Sequence, residues 1–209
     1  MRPLLTGLSA SLCLVLLGGC GGPAPATPVR EAARSTLLPL PGVVLPPGPL
    51  LALVPTPDEA PPGMVPLLSA SGPRDLAAVA AFSKDAATAA ATLTAHGFSG
   101  SYVAQYADPT DGRVLTVVAS QFRDDAGATA DLATDEAAQD GLPVTVEALG
   151  QDSQARRGPL PGKAGGELFY LRFRSGPTTW LLAYGGRPTA DPAVAVGLAK
   201  TLLARAGRT

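Results

Sequence analysis

The 209 residues carry sixteen Lys and Arg against seventeen Asp and Glu, a formal charge of −1, with one histidine and two cysteines. Near-neutrality removes the electrostatic case for nucleic acid, which needs a basic face, and a lone histidine leaves any catalytic triad or zinc site a single imidazole to draw on. Arg outnumbers Lys thirteen to three and Ala is abundant, a bias of GC-rich codons and not of function.

The chain opens with the three parts of a secretory signal. Arg2 and the amino terminus supply positive charge, residues 4–17 form a short apolar run, and Gly18-Gly19 place small residues before Cys20. The run is shorter than the ~20 apolar residues that a spanning helix needs, and Gly7, Gly18 and Gly19 interrupt it. Leu17-Gly18-Gly19-Cys20 resembles the lipobox of bacterial lipoproteins, with Gly18 standing where that box usually has Ala, Ser or Thr. The resemblance implies that residues 1–19 are a signal peptide. It also implies that Cys20 is lipidated with a diacylglycerol and that the mature chain is anchored to the outer face of a bacterial membrane, in the cell envelope. Two or more acyl chains hold firmly where one does not. With Cys13 in the removed segment and Cys20 acylated, the folded part has no disulfide and no thiolate ligand. No metal and no cofactor are expected.

Residues 20–36 are small, proline-bearing and charged, and read as a tether. Residues 37–68 are rich in Pro and Leu. Their prolines forbid a long helix or a central strand, and two readings stay open: an extended segment packed on the domain, with turns over 57–63, or a disordered stalk. Residues 69–209 form the domain.

Within the domain, 75–96 has a narrow apolar stripe of Leu76, Val79, Phe82 and Leu93 before the stop at Gly97, with Ser83 as a candidate cap for a second helix. Residues 99–107 and 113–122 read as strands joined by Asp108-Pro109-Thr110-Asp111-Gly112. Residues 123–140 form a helix opening on Asp124 and Asp125, 143–149 a short strand, and 150–166 a polar loop. Residues 167–185 form a hairpin and 191–206 a closing helix that buries Val194, Leu198, Leu202 and Leu203. The fold class is α+β: a largely antiparallel sheet of about five strands with helices packed on one face. Hairpin-then-helix occurs twice, as a weak internal duplication or a chance alternation. This Leu-rich entry followed by helix, hairpin and helix loosely resembles lipoproteins of GC-rich bacteria, from which no site residue carries over.

With Gly176-Pro177 at the turn, Phe173 faces Trp180, Leu171 faces Leu182 and Phe169 faces Tyr184, all on one side of the sheet. The other side carries Tyr170, Arg172 and Arg174. Those arginines are a solvated face, or else an anion or partner site joined by Arg156, Arg157 and Lys163 from the preceding loop. Other motifs have plainer readings. His96 sits where a helix ends, and Ser99, three residues on, lacks the glycine pattern of a nucleophile elbow. Asp108 and Asp111 suit a β-turn better than a calcium loop. Gly162-Lys163 lacks the upstream glycine of a phosphate loop, and Asp135, Glu136 and Asp140 suit a solvated helix face.

The functional expectation is a membrane-anchored lipoprotein acting as a non-catalytic binding or envelope-assembly module, with an envelope protein or an apolar ligand as partner. The alternative is a carrier or sensor of a small apolar ligand or lipid, held between the sheet and the Pro/Leu-rich segment with Tyr170, Arg172 and Tyr184 as polar groups. A hydrolase built on two carboxylates comes third.

Overall fold

The computed structural model describes residues 49–83, 85–138, 141–160, 165–187 and 189–207. The signal peptide, Cys20 and the tether lie outside the described residues. From Pro49 the chain makes two short 3-10 turns, Pro49–Leu53 and Pro57–Glu59. Strands β1 (Val65–Pro66) and β2 (Gly72–Arg74) follow, then helices α1 (Leu76–Ala80) and α2 (Ala86–Ala95). Next come β3 (Phe98–Ala107), β4 (Val114–Phe122), α3 (Asp125–Ala138) and β5 (Leu142–Pro143). The chain ends with β6 (Asp152–Pro159), β7 (Glu167–Ser175), β8 (Thr178–Gly186) and α4 (Pro192–Ala206). One antiparallel sheet runs β1-β3-β4-β8-β7-β6-β5, with β2 also beside β3.

Among the described residues eight strands replace the expected five. β1, β2 and β5 are two or three residues long and each contains a proline, which confines them to edges and hides them from a periodicity search. The strand expected at 143–149 shrinks to β5. β6 lies in the stretch expected to be a loop, and its sequence DSQARRGP has no apolar alternation to betray it.

Local chemistry sets the helix ends. Asp75 and Asp85 cap α1 and α2 by accepting from the N–H groups of Ala78 and Thr88 at 2.8 and 3.0 Å. The second cap is thus Asp85 and not Ser83. Asp124 accepts from Gly127 N at 2.8 Å at the start of α3, and Asp191 accepts from Ala193 N before α4. A two-residue loop with Gly176 at φ +55° followed by Pro177 joins β7 to β8, the pattern of a II′ hairpin. It sets the register Phe173↔Trp180, Leu171↔Leu182 and Phe169↔Tyr184.

One face of the sheet carries Tyr106, Leu115, Val117, Leu171, Phe173, Trp180 and Leu182. It is closed by Leu53, Val54 and Met64 from the Pro/Leu-rich segment and by Ala195, Leu198, Ala199 and Leu202 of α4. The described part of that segment, from Pro49 on, is therefore packed. Pro61-Pro62-Gly63-Met64 turns it back onto the sheet. Gly63 stands at φ +86°, and Met64 N donates to Pro61 O at 3.1 Å, as a type II turn with Pro then Gly at its centre requires.

The helices do not share a face. Arg172, one residue out of phase with Leu171 and Phe173, pairs with Asp131 of α3, so α3 lies on the side opposite α4. Polar residues in the middle of β7 needed a cover that supplies an acid, and α3 provides it. This also decides the duplication. Two hairpin copies meeting through the antiparallel β4–β8 pair are related by a two-fold axis normal to the sheet, which would return both helices to one face. With α3 and α4 on opposite faces, the repeated order is an alternation and not a superposable pair.

Candidate functional site

Cross-strand pairs place Arg156 beside Tyr170, Gln154 beside Arg172 and Asp152 beside Arg174, all on the α3 side. The structure thus gathers four of the five candidate arginine and tyrosine positions on one face. Arg157 pairs with Phe169 and faces the other way, where its Nε lies 3.2 Å from Glu167. Lys163 and Cys20 lie outside the described residues.

The gathered arginines have structural partners. Arg172 is 5% exposed, and its Nη2 donates to Asp131 Oδ2 at 3.0 Å. Arg174 Nε donates to Asp152 Oδ2 at 2.6 Å and its Nη1 to Gln151 Oε1 at 3.0 Å. Arg156 Nη1 donates to Gly141 O at 3.1 Å. A solvated arginine face is therefore not what forms. The three tie α3, the 141 and 151 loops and the β6–β7 ladder together. The trio Tyr170, Arg172 and Tyr184 does not assemble either, because Tyr184 stands on the opposite face with Phe169 and Leu182. Leu53, Val54 and Met64 fill the space between that face and the Pro/Leu-rich segment.

His96 caps the C-terminus of α2. A methyl group on Gly127 would stand 1.9 Å from the His96 carbonyl oxygen, so α2 and α3 meet through a residue that must be glycine. Ser99 Oγ donates to Gln121 O. Asp108 is a turn residue, accepting from Thr110 N at 2.8 Å and from Arg113 Nη2 at 2.7 Å. Among the described residues no three of His, Cys, Asp and Glu gather in a metal-holding group.

The sequence did not point to a second constellation, formed around the strap of residues 49–63. Five prolines remove a third of the N–H donors of the strap and its own turns use others, so carbonyls are left over, and side-chain donors from α4, β8, β3 and the turn before β4 meet them. Arg205 of α4 donates to Ala52 O at 2.7 Å and Val54 O at 3.0 Å. Trp180 Nε1 of β8 donates to Leu53 O at 2.9 Å, and Tyr106 Oη of β3 to Pro55 O at 2.5 Å. Arg113, just before β4, donates to Pro62 O at 3.0 Å. Arg205 also pairs with Glu59, and that hydrogen bond is the leading cause holding the Glu59 carboxyl below its ordinary range. Tyr184, then Asp108, raise the pKa of Arg113. Chemically this cluster satisfies the carbonyls left open at the end of the first 3-10 turn and in the bend that follows it. The one available signal was the loss of donors to proline, which says that side chains must supply them but not which ones.

No family model matches the chain, and no curated protein does. Among solved structures, the extracellular domain of PknH from Mycobacterium tuberculosis is similar over 57% of this chain and 70% of that one, with 11% identity and a TM-score of 0.46.

Proposed function

We propose that this protein is an exported lipoprotein, held to a bacterial membrane through a lipid on Cys20, whose domain works by binding and not by chemistry. The observation that carries the reading is the apolar run of residues 4–17 closed by Gly18-Gly19-Cys20. A tether over residues 20–36 reaches at most about 60 Å from the membrane when fully extended. No described helix is long and apolar enough to cross a membrane. Arg172, Arg174, Arg157 and Asp108 are taken up in pairs that hold the fold, so the binding reading draws on other residues.

The test is detergent partitioning and intact mass of the protein recovered from a bacterial membrane, for the natural chain and for Cys20→Ser. The natural chain should enter the detergent phase with a mass that starts at Cys20 plus lipid. Cys20→Ser should leave the membrane or accumulate as precursor. Unchanged partitioning and mass in Cys20→Ser would overturn the anchor.

A further inference from the structure

Three of the large apolar side chains that the described residues expose lie along one edge of the sheet. β1 and β2 both pair with the outer side of β3. Val65 of β1 and, in the turn between the two strands, Leu67 and Leu68 are exposed, Leu68 to 79%. A fourth exposed side chain, Phe82, follows α1, which packs on β2 and β3. The turn holds its shape through its backbone. Leu67 O accepts from Ala70 N at 3.0 Å, Ser71 N at 3.1 Å and Ser71 Oγ at 2.9 Å, and Leu67 N donates to Gln105 O at 2.8 Å. Arg74 closes it from the far side, donating to Ala70 O at 2.9 Å and to Pro73 O at 3.1 Å. The two leucines thus stand in water on a turn whose hydrogen bonds do not need them, and apolar residues clustered in this way mark an interaction surface. We propose that this edge rests on the lipid bilayer that holds Cys20, with Leu67 and Leu68 entering the boundary between headgroups and acyl chains.

The chemistry of the edge selects lipid over a partner strand. Strand addition needs open N–H and C=O groups. Here Pro66 and Pro73 have no N–H, and the carbonyls of Leu67, Ala70 and Pro73 already accept. Acyl chains ask for no hydrogen bond, only for apolar side chains on a backbone whose polar groups are satisfied. Charge agrees. Between Glu59 and Asp75 the one charged residue is Arg74. Glu59 is paired with Arg205 and Asp75 caps α1, so the segment brings a cation and no uncommitted carboxylate to an anionic headgroup layer. A lipid on Cys20 keeps that bilayer within reach and makes docking an intramolecular step. A contact of two leucines, too weak to hold a free protein, then suffices to orient an anchored one.

This rests on the anchor reading above, and vesicle flotation reads the anchor separately. Residues 49–207 hold no cysteine, so with Cys20 acylated an introduced thiol is the one free thiol. Ser69→Cys labels the turn and keeps both leucines. Leu142→Cys labels the opposite edge of the sheet, where Leu142 is 77% exposed. Each lipidated full chain, carrying an environment-sensitive fluorophore, is reconstituted into vesicles of phosphatidylethanolamine and phosphatidylglycerol with and without spin-labelled lipid. An edge seated at the headgroup boundary should be quenched at least about threefold more at the Ser69 probe than at the Leu142 probe. Leu67→Asp/Leu68→Asp, on an exposed turn, should abolish that difference with the melting temperature unchanged. A chain that floats while its two probes are quenched alike, or whose quenching survives the double aspartate, overturns the proposal and spares the anchor. So does a Ser69 probe that shifts to the blue without quenching, which would show that protein covers the edge. A chain that does not float overturns both.

Discussion

Ser101 is 2% exposed, and its hydroxyl finds no hydrogen-bond partner among the described residues. A buried, unpaired hydroxyl opposes folding, so Ser101→Ala should be neutral or should stabilise by up to ~1 kcal/mol. Urea unfolding checks this, and a clear loss of stability would show that the hydroxyl has an unseen partner. Arg172 behaves oppositely. Arg172→Ala removes the buried guanidinium that donates to Asp131 and should cost about 3–5 kcal/mol, while Arg172→Met with Asp131→Ala should recover most of it. Trp180, fully buried and stacked on Phe173 with ring centroids 5.2 Å apart, should cost roughly 3–5 kcal/mol when replaced by Ala. Its emission should be blue-shifted and resist acrylamide in the natural chain.

At the scale of elements, the strap and the β3–β4 turn are both fastened by carboxylates. Glu59 is held below its ordinary value of 4.5 chiefly by Arg205. Asp108 is held below 3.8, first by the Thr110 N–H and then by Arg113. In both, the folded pKa lies under the unfolded one. Their stabilisation is therefore complete above the ordinary carboxylate range and is lost as pH falls through the depressed values. Thermal unfolding should weaken below about pH 4, and Glu59→Gln should lessen that acid dependence. A melting temperature unchanged down to strong acid would contradict this. What was legible at this scale follows from what periodicity encodes. Gly176-Pro177 flanked by period-two apolar residues carries the β7–β8 register, since a one-residue slip would turn Arg172 and Arg174 into the aromatic face. Asp124 and Asp125 mark the start of α3. The polar strand β6 and the proline-bearing β1, β2 and β5 have no such signal. Period two places Arg172 on the face opposite Trp180, yet whether that face meets water or α3 is a tertiary matter. The strap's clasp was hidden because Arg205, Trp180 and Tyr106 lie 51 to 153 residues from the carbonyls they meet.

The whole molecule is a sheet closed on both sides, by α4 and the strap on one and by α3 on the other. Its edges are covered as well. Leu67 N donates to Gln105 O at 2.8 Å, Gln105 N donates to Ser71 Oγ at 3.0 Å, and β1 and β2 flank that pair along β3. The far edge ends in Pro143 of β5. Short proline-bearing edges resist further strand addition. Neither cysteine lies within residues 49–207, so dithiothreitol should leave the melting temperature of the domain unchanged.

The strap's membership of the core is the claim on which the account of the fold most depends, and the domain boundary tests it most directly. Calorimetry or circular dichroism of chains 49–209 and 69–209 compares the domain with and without Leu53, Val54 and Met64. Each of these three contributes about 1.5–3 kcal/mol on burial. Chain 49–209 should melt cooperatively with the full chain, and chain 69–209 should melt at least about 10 °C lower. Equal melting temperatures for the two chains would show that the strap is not part of the folded core.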